Sequence, residues 1–247
     1  MTTGGVKAAL LGLALVAATA SAQARAPYLD PTLPVERRVD DLLGRMTLEE
    51  KVGQMLCLWQ GKRAITDGEG RFDPSRAPEW FRIGIGRIER PGEGHGARTE
   101  AEFTNAIQRW VKEHTRLGIP VLFHEEALHG LEAEQATSFP QAIALASTWN
   151  PELVERVFAA AAAEARARGV HQVLAPVVDV ARDPRWGRIE ETYGEDPYLA
   201  ARMGVAAVRG FQGTESAVGP AHVLATLKHM TGHGQPESGT NVGPAPY

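Results

Sequence analysis

Residues Val173–Pro197 read VLAPVVDVARDPRWGRIEETYGEDP, and this stretch decides the fold. Val173, Leu174, Val177 and Val178 form a near-continuous run of β-branched and aliphatic residues, the pattern of a strand buried on both faces of a parallel sheet. The composition then switches abruptly to Asp179, Arg182, Asp183, Arg185, Arg188, Glu190, Glu191, Glu195 and Asp196, with Trp186 and Tyr193 among them. In a (β/α) barrel the loops after the strands build the active site, so charges and an aromatic ring here suit a polar, ring-shaped ligand. A salt-bridged closing loop also carries such residues one at a time; their density is what favours binding.

Working outward, the same alternation recurs. Pro31 to Leu43 has apolar residues at helical spacing, and Thr47 with Glu50 three positions on is a capping-box pattern that opens a short helix, Leu48 to Gln54. Strands are expected at Met55–Trp59, Ile83–Ile88, Ile119–Phe123, Val173–Val178 and Val223–Met230. Between them, Thr99 to Arg116 presents Phe103, Ile107, Trp110 and Val111 on one face of a helix. Asn150 caps another helix with Pro151 at its first position, and Pro197 to Gln212 returns from the fourth strand. The Gly-rich stretch Pro91 to Ala97 lacks the G-x-G-x-x-G spacing and the following Lys-Ser/Thr of a phosphate cradle, so it reads as a loop. Strand, rim loop, helix, strand is the order of a parallel α/β fold, a barrel or a doubly wound sheet. About five strands are legible where a closed barrel needs eight, which predicts a (β/α)8 TIM-type barrel truncated after about five β/α units. An unclosed sheet edge further predicts poor solubility or a missing continuation.

The amino terminus reads as an address. Lys7 precedes the uncharged run Ala8 to Ala22, too short to span a bilayer, and Ala20-Ser21-Ala22 or Ala22-Gln23-Ala24 offers a small-residue cleavage pattern. Residues 1–24 are therefore expected to be a signal peptide and 25–247 the start of a barrel domain, secreted or periplasmic. The chain has 247 residues, 43% hydrophobic and 23% charged, enough for a substantial core. A net charge of -4 argues against nucleic acid as a partner, and no later segment has membrane-spanning length. The single cysteine, Cys57, lies in an apolar run and reads as a core residue.

Three stretches carry a resemblance. RVDDLLGRMTLEEKVGQM near the start, RDPRWGRIEETYGEDP in the middle and KHMTGHGQPESGTNVGP near the end together resemble the family 3 glycoside hydrolases, most of all the bacterial β-xylosidase/β-glucosidase group. The resemblance runs from about Asp30 to the last residue. It implies a retaining exo-β-glycosidase that releases xylose or glucose from the non-reducing ends of β-linked oligosaccharides, through two carboxyl groups and no cofactor. In the family the nucleophilic Asp and the acid/base both come later than Tyr247. The resemblance therefore places no catalytic carboxylate in this chain, which is expected to be inactive alone.

What it does place here is the sugar-holding half of the site. Glu126 stands where the family has an acidic residue, often Asp, that accepts from sugar hydroxyls; Arg188, Lys228 and His229 match donors to the same sugar. Charged groups make the stronger hydrogen bonds, and a guanidinium fork suits vicinal hydroxyls. The pairs Glu125-Glu126 and Glu190-Glu191 look catalytic by type, but neighbours on a strand point to opposite faces and do not share one substrate bond. His229 and His233 are four apart, yet no H-E-x-x-H surrounds them and Gly232 and Gly234 break a helix, so no metal site is expected. Ser238-Gly239-Thr240 replaces the Gly-Gly-Arg of many relatives, and Glu126 is one methylene longer than Asp. That extra length is expected to crowd a hexose hydroxymethyl and favour a pentose. The competing reading is a non-catalytic sugar-binding relative.

Overall fold

The computed structural model describes residues 26–230 and 232–245; the signal-peptide assignment lies outside the described residues. The chain divides into two compact units, Met1–Arg45 and Met46–Tyr247. In the first, a 3-10 turn at Pro27–Leu29 precedes helix α1, Val35–Arg45. The helix begins later than the periodicity predicts. Asp30 Oδ1 accepts from the backbone N–H and hydroxyl of Thr32 at 3.0 and 2.7 Å, which holds the chain in a turn before it can wind.

The second unit is a parallel sheet with helices between its strands. Helix α2, Leu48–Met55, opens with the expected capping box: Thr47 Oγ1 accepts from Glu50 N at 3.2 Å, and Glu50 Oε2 accepts from Thr47 N at 2.9 Å. Strands β1 (Cys57–Leu58), β2 (Arg87–Glu89), β3 (Leu122–Glu125) and β4 (Gln172–Val173) pair in chain order, all parallel. Helix α3, Ala77–Phe81, was not foreseen; α4, Ala97–His114, was. Helix α5, Ala142–Ala146, is also additional, whereas α6 (Pro151–Ala167) and α7 (Pro197–Gln212) start where Asn150 and Asp196 cap them.

The fifth expected strand, Val223–Met230, is two isolated parallel bridges instead, Gln172 with Leu224 and Val177 with Lys228. The first side advances five residues between bridges and the second four, so the fourth strand carries one extra residue, a bulge. Pro176 sits in it and has no N–H to donate, while Thr226 N donates to Ala175 O at 2.9 Å. The bulge interrupts regular pairing, which is why β4 is shorter than its apolar run.

Register fixes which side chains share a face. Leu58, Ile88 and Phe123 are laterally aligned on the helix side, with Val173 on the same side opposite Glu125, and all four apolar residues are buried. Cys57, Arg87, Glu89, His124 and Gln172 take the opposite, inner face. Cys57 is consequently exposed, not core as its apolar neighbours suggested, because period-two alternation turns it away from Leu58. Two apolar clusters fill the helix side, one around Phe81, Phe103 and Ile107, the other around Phe158, Met203 and Phe211. In the latter, Gly210 of α7 brings the two helices close: a Cβ there would meet Glu155 O of α6 at 2.4 Å.

Glu125 is the exception on the helix side. It is only 1% exposed, and its Oε1 accepts from Gly92 N at 2.7 Å. The Gly-rich loop thus serves a buried carboxylate; a Cβ at Gly92 would strike Glu100 Oε2 at 2.6 Å, and Arg168 Nη1 pairs with that same oxygen at 3.2 Å. Burial, aided by the charge of Glu100, pushes the Glu125 pKa up to about 8. A carboxyl whose folded pKa is raised stabilises fully below its unfolded value and loses that contribution as pH climbs through the folded one. On the inner face burial depresses His124 from 6.5 to about 4, so its contribution is complete above 6.5 and lost on acidification. The two opposing slopes offset each other between 4.5 and 6.5, and Glu125 dominates from 6.5 to about 8. Unfolding free energy should fall there by on the order of 1.4 kcal/mol per pH unit, and Glu125→Gln should flatten the fall. Denaturant titrations of both proteins across that range check this; an unchanged slope in the variant sinks it.

Candidate functional site

The inner face ends, at the carboxyl tips of the strands, in a cluster of charges. Glu126 follows β3 directly, and its Oε2 accepts from Lys228 Nζ at 2.7 Å, with both side chains mostly buried. Arg90, one residue past β2, brings Nη2 to 3.9 Å from Glu126 Oε1 and lays its guanidinium over the Trp59 ring at 5.8 Å. Lys228 is carried there by the bridge to Val177, with Val178 N donating to Lys228 O at 2.8 Å.

A second group adjoins the first through the Lys228-His229 link. His229 Nδ1 lies 2.7 Å from Asp179 Oδ2, and His229 N donates to Asp179 Oδ1 at 3.1 Å. Arg188 stands opposite with Nη2 at 3.3 Å from His229 Nε2 and Nη1 at 3.0 Å from His233 Nε2. Since a guanidinium only donates, both Nε2 atoms accept, and the network assigns the His229 proton to Nδ1, facing the carboxylate. Glu191 grips Arg188 in a two-pronged pair at 2.8 and 2.6 Å. That bond to Glu191 raises the Arg188 pKa; burial alone would lift Glu191, but Arg188 holds it below the usual carboxylate value. Burial, and then His229 beside it, lower His233.

All four residues expected to hold sugar therefore meet: Glu126 with Lys228, and Arg188 with His229. The two pairs adjoin through the Lys228-His229 link, and Glu126 adds a smaller share than Glu191 and Asp179 to the negative surroundings of Arg188. Three members escaped the sequence reading. Asp179 was visible only as a charge in a dense loop, Glu191 only as a carboxylate catalytic by type, and Arg90 carried no motif. Asp179 reaches the inner rim because the bulge reverses the alternation after β4; strict period two from Val173 would have turned it toward the helices. At the end of β3 the adjacent glutamates separate as alternation demands, with Glu125 buried and Glu126 on the rim; in the 3-10 turn Ile189–Glu191, Glu190 is exposed beside the paired Glu191.

The aromatic expectation needs correction. Trp186 is 2% exposed, its Nε1 donates to Asn241 Oδ1 at 2.8 Å, and its ring packs edge-on against His233 at 5.2 Å. Tyr193 is buried as well. Both brace the loop from below and offer no face to a ligand. The donor atoms of Asp179, His229 and His233 lie within 4.8 Å of one another, but Arg188 occupies the two Nε2 atoms, and a fixed cation there repels a metal ion.

Comparison with known proteins fits this architecture. Residues 47–247 match the model of the glycosyl hydrolase family 3 N terminal domain. A beta-xylosidase of Formosa agariphila is 50% identical over 135 residues, 52% of this chain and 19% of that protein. The periplasmic beta-glucosidase of Salmonella typhimurium is 36% identical over 201 residues, 81% and 24% of the two chains. The solved structure of an Erythrobacter marinus β-glucosidase superposes with a TM-score of 0.81 at 36% identity, covering 90% of this chain and 29% of that one. The chain spans under a third of the length of each of these relatives. Parallel strands ending in a charged rim, intervening helices and these matches agree: the fold is of the TIM-barrel α/β type, and the chain belongs to glycosyl hydrolase family 3, in its amino-terminal domain.

Proposed function

We propose that this chain is the sugar-recognition part of an exported, retaining exo-β-glycosidase that removes xylose, or glucose, from the non-reducing ends of oligosaccharides. The observation that carries the reading is the convergence of Glu126, Arg188 and the consecutive Lys228-His229 from three rim segments into two adjoining hydrogen-bonded pairs. Such a rim suits a pyranose. Glu126 accepts from vicinal hydroxyls while Lys228 and Arg188 donate, and each is already aligned by its partner, so little ordering remains when sugar arrives. His229, with its proton turned to Asp179 and its Nε2 accepting from Arg188, aligns the guanidinium that donates to the sugar. Names of relatives support the chemistry, and the periplasmic relative, with the apolar run Ala8 to Ala22, supports export.

The catalytic pair is proposed to lie in sequence beyond Tyr247. Each carboxylate in the cluster is committed to a partner: Glu126 to Lys228 and Glu191 to Arg188 as ion pairs, Asp179 to two hydrogen bonds from His229. None stands free in the arrangement that an acid and a nucleophile about 5–5.5 Å apart require. The 247-residue chain should therefore show no turnover of an aryl β-xyloside at concentrations where the full-length polypeptide is active; measurable turnover by the chain alone refutes this division.

Side-chain length sets the sugar preference. On the full-length enzyme kcat/KM should favour aryl β-xyloside over aryl β-glucoside, by no more than the ~10- to 200-fold that one methylene controls. A glucoside preference would end the argument from Glu126. Asp179→Asn keeps the shape but loses the charge that orients His229, and removing one charged hydrogen bond of about 1.5–3 kcal/mol should lower kcat/KM roughly 10- to 100-fold. Steady-state kinetics at unchanged melting temperature decide it, and wild-type kinetics in the variant would remove Asp179 from the site.

A further inference from the structure

Beneath the rim, the inner face carries three side chains whose chemistry the sugar site leaves unused. Cys57 of β1, Glu89 of β2 and His124 of β3 come from adjacent strands, and one donor atom of each lies within 4.8 Å of the other two. His124 is the anomaly. It is 5% exposed, its Nδ1 is buried without a partner, and its Nε2 is 3.6 Å from Glu89 Oε2, beyond hydrogen-bond length. A buried imidazole normally has its nitrogens satisfied, so one left this way beside a thiol and a carboxylate points to a missing ligand.

We propose that Cys57, Glu89 and His124 form a three-donor site for a thiophilic divalent cation, of which Zn2+ is the best match, on the inner face just below Glu126. Sulfur, imidazole and carboxylate on one ion is a zinc donor set, and three protein ligands leave a fourth position for water. Zinc bonds of about 2.0–2.3 Å place tetrahedral donors roughly 3.3–3.8 Å apart, so the side chains need close by only about 1 Å. Of the neighbouring cations, Arg90 reaches Glu89 on its other oxygen, with Nε 3.8 Å from Oε1, which leaves Oε2 turned to His124. Lys62 Nζ donates to Glu89 O, Arg90 O and Glu93 Oε2 at 2.9, 2.7 and 3.0 Å, and Arg87 Nη1 donates to Gln172 Oε1 at 2.6 Å. This separates the cluster from Asp179, His229 and His233, where Arg188 already fills the donor atoms. His124, its pKa depressed by burial, holds the neutral ring that a metal needs, and the Cys57 thiol would release its proton on binding. The inference stands apart from the sugar reading, since none of its three ligands belongs to that set.

Calorimetric titration of the full-length polypeptide with Zn2+ should show one strong site, with a proton released on binding, read by repeating it in buffers of different ionisation enthalpy. Co2+ should give a thiolate charge-transfer band in the near ultraviolet. Cys57→Ser should abolish that band, and Cys57→Ser or His124→Gln should each weaken Zn2+ by more than about 100-fold, since even outer-shell changes cost 10- to 100-fold. Should His124→Gln fail to fold, Zn2+ protection of Cys57 from alkylation in the unaltered protein, read by mass spectrometry of the Cys57 peptide, supplies the answer. Zn2+ affinity untouched by Cys57→Ser, affinity lost instead in His233→Gln, or an alkylation rate unaffected by Zn2+ would each overturn the proposal.

Discussion

Alternation along parallel strands is the constraint on which everything else in the second unit rests. One residue faces the helices and the next faces inward, so a single register separates Leu58, Ile88, Phe123 and Val173 from Cys57, Arg87, Glu89, His124 and Gln172. The first set is packed by α4, α6 and α7 and supplies the hydrophobic stabilisation, at roughly 25 cal/mol for each Å² removed from water. The second set is freed from packing and can carry charge. A slip of one residue would bury the charges and expose the core, which is why chemistry and stability cannot be varied independently here.

On the rim, charge is handled by compensation. Glu126 with Lys228 and Arg188 with Glu191 are partly or largely shielded from water, where an uncompensated charge would cost several kcal/mol, and Asp179 accepts two hydrogen bonds from His229. Pairing lowers that cost and fixes each side chain in one geometry. The buried Glu125 is managed differently, by neutralisation, with Gly92 donating to it. One sheet thus uses two solutions to the same desolvation problem on its two faces.

The local parts of this fold were legible. Thr47 with Glu50 and Asn150 with Pro151 are signals confined to a few residues, and the helices begin where they say. Strand lengths, the fifth bridge pair and the exposure of Cys57 were not, because they depend on partners far along the chain. Trp186 misled for a related reason: its type suits a sugar platform, but Asn241 and His233 decide its surroundings. Glu126, Arg188, Lys228 and His229 were reached through motifs, whereas Asp179 depends on an inserted residue that no periodicity announces. The buried role of Gly92 was equally hidden, since a glycine's spacing says nothing of the carboxylate beside it.

The polar ladder on the inner face, Arg87 to Gln172 to Thr226 at 2.6 and 2.7 Å, has an implication for protein engineering. A sheet lined this way does not ask for an oily plug. Any segment that is to lie across it must arrive with complementary donors and acceptors at matching heights, so chimeras that splice this sheet to a foreign half should be chosen by hydrogen-bond inventory before side-chain volume.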